Sequence, residues 1–207
     1  MRQAPVRFTL ILILILIAAS SAQALSERSI GGDRDSGFFL RLSAGFGFAG
    51  TEAVVPLGDI TTQELSFTGS AADLNLAVGG FVRPGLALHL TLMGWTIDEP
   101  SVDYGGLTIT IPNDLSMTAI GGGITWYVLP SGLYLSASLG LGELNIEDAE
   151  SESGLAMDLT LGKEWWVSKQ WSLGLAGGMG IHNIPEPGLA DDWQGASFSL
   201  RFSASMR

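Results

Sequence analysis

The chain has 207 residues and a formal charge of −11 at pH 7, from 10 Lys and Arg against 21 Asp and Glu. Nucleic-acid phosphates would repel so acidic a chain, so nucleic-acid binding is not expected. The sequence contains no Cys, which excludes disulfides, thiolate metal ligands and Cys nucleophiles. Only 15% of the residues are charged and 28 are Gly, an unusual composition for a water-soluble protein.

The first segment of the chain has the order of a secretory signal peptide. Arg2 and Arg7 make a basic start, and an apolar run from Phe8 to Ala19 follows. Small residues then occupy the two positions that signal peptidase reads, in Ala22-Gln23-Ala24. The apolar run is shorter than the roughly 20 residues of a membrane-spanning helix. Residues 1–24 are therefore predicted to be cleaved.

The remaining chain alternates between apolar and small or polar residues. Between Phe38 and Phe48 the even positions are Phe, Leu or Ala, and the odd positions include Arg41, Ser43 and Gly. A period of two predicts a β-strand with one apolar face. The same pattern recurs along the chain. The eight predicted strands lie at about 38–48, 72–82, 86–97, 115–128, 133–141, 155–162, 172–181 and 196–204.

The predicted connections alternate in length. Strands of roughly ten residues are what a tilted transmembrane β-strand requires, and short periplasmic turns with long external loops are typical of the outer membrane. An even number of strands leaves both termini on the periplasmic side. The short connections are 83–85, 129–132 and 167–170, and the long ones are about 51–70, 98–114, 142–153 and 183–194.

The two faces of the strands decide between a membrane barrel and a secreted lipocalin-like barrel. One face is almost all Leu, Ile and Phe, and the other carries Gly, Ala, Ser and Thr with few charges. A water-exposed face would carry Lys and Glu, whereas small residues suit the crowded interior of a narrow barrel. The prediction is an all-β, eight-stranded, antiparallel up-and-down transmembrane β-barrel. The chain is predicted to consist of a signal peptide (1–24), a short periplasmic segment (25–37) and the barrel (38–207).

Aromatic residues cluster beside two of the short turns. Indole and phenol rings favour the boundary between lipid and water. The cluster therefore predicts an aromatic belt at the periplasmic rim, with Trp95 and Trp193 as a sparser external belt. The predicted rim residues are Trp126, Tyr127, Tyr134, Trp165, Trp166 and Trp171.

These features resemble small outer-membrane barrels of the OmpA-transmembrane, OmpX and OmpW type. The hairpin from Asp73 to Leu92, which turns at Arg83-Pro84-Gly85, is typical of them. The resemblance implies an architecture rather than an activity. It also implies contact with outer-membrane lipid, lipopolysaccharide and the assembly machinery, and it departs at Met206-Arg207, where an aromatic residue usually ends such chains. A monomer without a cofactor is expected.

Several charged residues fall on the predicted inner face. Arg41 and Arg201 lie on the first and last strands, which must be neighbours for the barrel to close, and Glu164 lies at a similar height. We expect an Arg41/Arg201–Glu164 network, with Asp158 or Asp73 as further acceptors. Because the interior of an eight-stranded barrel is just filled by side chains, a structural plug is favoured over a gated ion path.

The predicted external loops are acidic and contain no Lys or Arg. Their carboxylates are interpreted as a solvated surface or as ligands for divalent cations that link the loops to lipopolysaccharide phosphates. No EF-hand or repeat spacing is present, so no metal site is assigned. The densest stretch contains Glu147, Asp148, Glu150 and Glu152.

Some eight-stranded barrels modify lipid A, so the two histidines of the chain are candidate catalytic residues. His182 is followed by Asn and Ile, and the His-x-Ser pattern of lipid A deacylases is therefore missing. A palmitoyl-transferring barrel needs His, Asp and Ser near external loops, and no spacing demands that arrangement here. His89 is expected to be a buried, hydrogen-bonded residue. The set available for such chemistry is His182, Asp191, Asp192 and Ser197.

Three functional hypotheses follow from these patterns. The first is a structural and surface-interaction barrel with a largely plugged lumen and acidic external loops. The second is a narrow channel, or a transporter for a small or hydrophobic solute, because the Gly-rich inner faces could leave a cavity. The third, a lipid A-modifying enzyme, is not expected.

Overall fold

The computed structural model describes residues 37–56, 62–146, 149–186 and 188–207. The predicted signal peptide, residues 25–36, Glu147, Asp148 and the side chain of Glu150 lie outside this part. In the described ranges, no helix is long and apolar enough to cross a membrane. The strands are β1 (Gly37–Pro56), β2 (Thr62–Arg83), β3 (Leu86–Ile97), β4 (Ser101–Tyr104), β5 (Leu107–Thr110), β6 (Leu115–Val128), β7 (Leu133–Ile146), β8 (Ala149–Glu150), β9 (Gly154–Trp166), β10 (Trp171–Ile184) and β11 (Trp193–Met206).

Eight of these strands close into an antiparallel ring, which confirms the predicted barrel. The order is β1-β11-β10-β9-β7-β6-β3-β2, and pairing between β1 and β2 completes the circle. The large apolar side chains point outward, with Phe46 at 79% exposure and Leu200 at 77%. The small and polar positions point inward, as the alternation predicts. We call the end with the short connections the turn end, and the other the loop end.

At the loop end the strands run further than the sequence predicts. β1 continues to Pro56 and β2 begins at Thr62, so most of the predicted connection 51–70 is strand. The predicted connection 98–114 contains the hairpin β4–β5, which pairs with β2 beyond the ring. Membrane thickness does not set this length. The strands continue because their inner face, including Phe67 and Val102, is buried in an apolar cluster.

The ring is strongly staggered. We start at Glu164 on β9 and step from each residue to its paired residue on the next strand of the ring. After one full circle the path returns to β9 at Gly154, a shift of 164 − 154 = 10 residues. Such a stagger tilts the strands against the barrel axis. Residues that meet inside the lumen can therefore come from different rows of paired residues. The row runs through Glu164, Gly174, Ser203, Ser43, Asn75, Met93, Ala119, Gly142 and Gly154.

Candidate functional site in the barrel lumen

The loop end of the lumen is filled by apolar side chains. Trp95 and Trp193 are only 3% and 6% exposed, so the prediction that they form an external belt is wrong. Both occupy inward positions of the alternation: Trp95 lies within the predicted strand 86–97, and Trp193 lies where β11 extends before the predicted start at 196. The cluster contains Ala49, Ala53, Phe67, Ala71, Met93, Trp95, Ile97, Val102, Leu115, Met117, Ala119, Leu144, Ala156, Ile184 and Trp193.

Below this cluster, Arg201 holds two carboxylates inside the barrel. Its Nε lies 2.6 Å from Oδ1 of Asp73, and its Nη2 lies 2.6 Å from Oδ2 of Asp158. Nη1 also donates to Asp158 Oδ1 at 2.9 Å and to Thr160 Oγ1 at 2.8 Å. The two charged contacts to Asp158 form the bidentate geometry that suits a guanidinium group. Arg201 and both carboxylates are at least 93% buried.

A glycine on β10 makes room for this charge cluster. A Cβ atom at Gly178 would collide with the guanidinium group of Arg201. Gly178 is paired with Thr160 on one side and Ser199 on the other, and both of those hydroxyls contact Arg201. The Gly-rich inner face of β10 is thus occupied by an arginine side chain from the neighbouring strand.

The predicted pairing of Arg201 with Glu164 is wrong. Arg201 and Asp73 are both paired with Gly45, so they lie in one row with only a glycine between them. Glu164 belongs to a different row, which passes through Ser203 on β11. Asp73 therefore meets Arg201 within one row, and the stagger of the ring brings Asp158, from another row, to the same guanidinium group. Both aspartates were expected only as further acceptors.

Glu164 instead collects hydroxyl donors at the turn end. Ser172 Oγ donates to its Oε2 at 2.8 Å, and Ser205 Oγ donates to its Oε1 at 2.7 Å. Tyr127 OH donates to Oε2 at 3.2 Å. Arg207 Nη2 lies 3.5 Å from Oε2. The carboxylate is 2% exposed, and its charge is balanced by an arginine that the sequence reasoning did not consider.

Three of the predicted belt residues face the lumen. Tyr127 and Tyr134 are each 1% exposed, and Trp166 is half-buried. The guanidinium carbon of Arg207 lies 3.9 Å from the ring centre of Tyr127 and 4.4 Å from that of Trp166. These three residues share the inward parity of Thr125, Ser136 and Glu164, so strand alternation overrides their position beside turns.

The other three predicted belt residues lie on the outer face. Trp126 and Trp165 are 52% and 51% exposed, and Trp171 is half-buried against an outer apolar cluster with Leu40 and Met206. All three stand beside the short turns. The aromatic belt stays a prediction for Trp126, Trp165 and Trp171 alone.

Arg41 lies on the inner face of β1 and does not contact Glu164. Its Nη2 donates to Ser136 Oγ at 2.8 Å. Its guanidinium carbon lies 4.7 Å from the ring centre of Tyr134 and 5.6 Å from that of Phe39. The structure therefore divides the predicted single network into an Arg201 cluster, a Glu164 cluster and an aromatic setting for Arg41.

His89 lies in a chain of hydroxyl groups, in agreement with the expectation that it is buried and hydrogen-bonded. Its Nδ1 lies 2.7 Å from Thr91 Oγ1 and its Nε2 lies 3.0 Å from Thr125 Oγ1. Thr125 continues to Ser136 at 2.9 Å, and Thr91 continues to Ser138 at 3.3 Å. Both ring nitrogens are thus used by structural contacts.

His182 is not assembled into a catalytic set. Its Nε2 lies 3.0 Å from Thr51 Oγ1, and its ring lies 5.9 Å from that of Trp95. Thr51 Oγ1 donates to the carbonyl of Gln194 at 3.3 Å. No contact within the described ranges joins His182 to Asp191, Asp192 or Ser197. The geometry offers no His–Asp–Ser arrangement there.

Comparison with known proteins bears on the fold. No family model and no curated protein matches the chain. Neisserial surface protein A is 15% identical with a TM-score of 0.55, over 83% of this chain and 97% of that one. The chain has the fold of an outer-membrane β-barrel. The barrel also aligns with OprG from Pseudomonas aeruginosa at 13% identity and a TM-score of 0.48, over 83% of this chain and 97% of that one. It aligns with Ail of Yersinia pestis at 8% identity and a TM-score of 0.41, over 81% of this chain and 99% of that one.

The loop end of the barrel is acidic. A shallow groove on the β2–β4–β5 extension contains Glu64 and Asp103, and Asp103 holds the hairpin turn by accepting from Gly106 N at 3.3 Å and Thr108 Oγ1 at 2.9 Å. Of the predicted cation-binding residues, Glu152 is exposed in the described part. No group of three metal-ligating side chains is found in the parts of the barrel that the structure describes.

Two carboxylates of this barrel end lie close together. Partial loss of hydration raises the pKa of Asp114, an exposed residue between β5 and β6, and the neighbouring carboxylate of Asp98 raises it further. The folded loop therefore binds a proton at Asp114 more readily than the unfolded chain does. Loop stability is consequently lost as pH rises through the pKa of Asp114.

Asp114→Asn should therefore stabilise the loop at neutral pH. Because Asp114 is exposed, the effect should stay below about 1 kcal/mol. Hydrogen-exchange protection of residues 111–115 measures it, and the gain should vanish below about pH 3, where a carboxyl group is largely protonated in the folded and the unfolded chain. Glu152→Gln in another loop is the control. Equal protection in wild type and Asp114→Asn at neutral pH would contradict the prediction.

Proposed function

We propose that this chain is a monomeric barrel of the Gram-negative outer membrane with a structural and surface-interaction role. The turn end would then face the periplasm, and both termini would lie there. The observation that carries the proposal is the filling of the lumen along its length. Apolar side chains occupy the loop end, the Arg201 cluster lies below them, and the aromatic rings with Glu164 and Arg207 close the turn end.

The loop end supplies the surface for this role. The β4–β5 hairpin extends the sheet beyond the ring and exposes Leu107 by 67% and Ile109 by 52%. Carboxylates surround it, and the segments that form this end of the barrel contain no Lys or Arg. Such a surface suits partners that are basic, or lipopolysaccharide phosphates bridged by divalent cations.

Conductance across a planar bilayer tests the closed lumen. We expect purified protein inserted in the bilayer to give no resolved single-channel steps, because no side chain in the filled lumen can leave without breaking buried contacts. Insertion is verified independently by protease protection, and a wide porin in the same bilayer is the positive control. Resolved single-channel steps from the wild-type barrel would instead favour the narrow channel.

A further inference from the structure

The guanidinium group of Arg41 lacks a carboxylate partner among the described residues. The three buried carboxylates of the described lumen are engaged by the other two arginines, Arg201 and Arg207. Two of those carboxylates share the single charge of Arg201. Local charge is therefore unbalanced in opposite directions, negative around Arg201 and positive around Arg41.

One nitrogen of Arg41 also lacks an acceptor. The residue is 2% exposed, and its Nη2 donates to the hydroxyl of Ser136. Nη1 is buried and makes no hydrogen bond with an atom of the described residues. A buried charged donor without an acceptor is costly in free energy, and such groups in native proteins are normally satisfied by water or an ion.

The surroundings of Nη1 favour an anion over a cation. Hydroxyl groups of Ser136 and Thr125 lie beside the guanidinium group and are hydrogen-bonded to each other at 2.9 Å. The residues paired with Arg41 on the adjacent strands are Ala77 and Ser205, whose side chains are short. Neither carries a charge that could balance the arginine.

We propose that Arg41 Nη1 binds a small monovalent inorganic anion, of halide size, inside the turn-end half of the lumen. The single uncompensated positive charge sets the charge of the ligand. The interior of an eight-stranded barrel, already filled by aromatic rings here, limits its size. The anion would complete the hydrogen bonding of Arg41 without the Glu164 contact that the sequence suggests.

Unfolding of the purified full-length barrel in urea tests this site, with sodium bromide compared against sodium gluconate at equal ionic strength. Bromide should bind the folded state only, so the unfolding equilibrium constant should fall about tenfold for each tenfold rise in bromide above its dissociation constant. Gluconate is too large to enter and should have no such effect. Arg41→Met should abolish the bromide dependence, and Arg83→Gln, at the exposed end of β2, should keep it.

Crystals grown in bromide give a test that needs no variant. An anomalous peak within hydrogen-bond distance of Arg41 Nη1 is expected. Density there without an anomalous signal would identify water and overturn the proposal, and so would bromide dependence that persists in Arg41→Met. If Arg41→Met does not fold, the anomalous peak in the wild-type protein decides, and a peak only at other positions counts against the site.

Discussion

Arg201→Ala is expected to lower the free energy of unfolding of the barrel by about 3–5 kcal/mol, the usual cost of removing one partner from a buried charge pair. The reason is that Asp73 and Asp158 would be left facing each other without a cation. Their neighbours Thr160 and Ser199 are hydroxyls and can replace only part of the lost contacts. Urea titration of the purified protein, followed by tryptophan fluorescence, measures the change.

Two further variants make this result specific to the buried cluster. Arg83→Ala removes an exposed arginine on β2 and should cost about 0–1 kcal/mol. Combining Arg201→Met with Asp73→Asn and Asp158→Asn removes all three charges, and should recover most of the loss because buried ion clusters can often be replaced by neutral residues. Equal losses in Arg201→Ala and Arg83→Ala would show that Arg201 is not buried against the aspartates.

Glu164→Ala is expected to destabilise the barrel by a similar amount, about 3–5 kcal/mol. The substitution removes the acceptor of the Ser172 and Ser205 hydroxyls and the carboxylate nearest Arg207. It also leaves Tyr127 OH without its acceptor. Buried donors that lose their only acceptor bear the full cost of desolvation, so the loss should appear in the same urea titration.

The matched controls for Glu164 change charge and size separately. Glu164→Gln keeps the shape and one acceptor oxygen, so an intermediate loss is expected. Glu152→Ala removes an exposed loop carboxylate and should change the free energy of unfolding by less than about 0.5 kcal/mol. If Glu164→Ala matched Glu152→Ala, the inward position of Glu164 would be wrong, and the register of β9 would have to shift by one residue.

The arrangement of strands could be predicted from the sequence because it depends on a local signal. Period-two alternation decides which side chains face lipid, and a one-residue error would reverse the whole face. Phe46 and Leu200 on the outside and Arg41 and Glu164 on the inside follow directly from this parity. The short turns at Arg83-Pro84-Gly85 and near Gly132 likewise follow from local backbone chemistry.

The alternation of inward and outward positions also indicates which aromatic residues belong to the belt. Tyr127 follows Thr125 by two residues and Trp166 follows Glu164 by two, so both are inward positions. The tendency of aromatic rings to lie at a membrane boundary does not override this alternation. The tendency concerns the outer face, and only Trp126, Trp165 and Trp171 lie on that face.

The sequence by itself determined the strands, their two faces and the presence of charged groups on the inner face, because each depends on residues close together in the chain. Which charges meet was decided only by the tertiary structure. A stagger of ten residues (164 − 154 = 10) moves neighbouring strands out of level, and it brings Arg201 to Asp158 rather than to Glu164. That stagger is a property of the whole closed ring, and no single hairpin contains it.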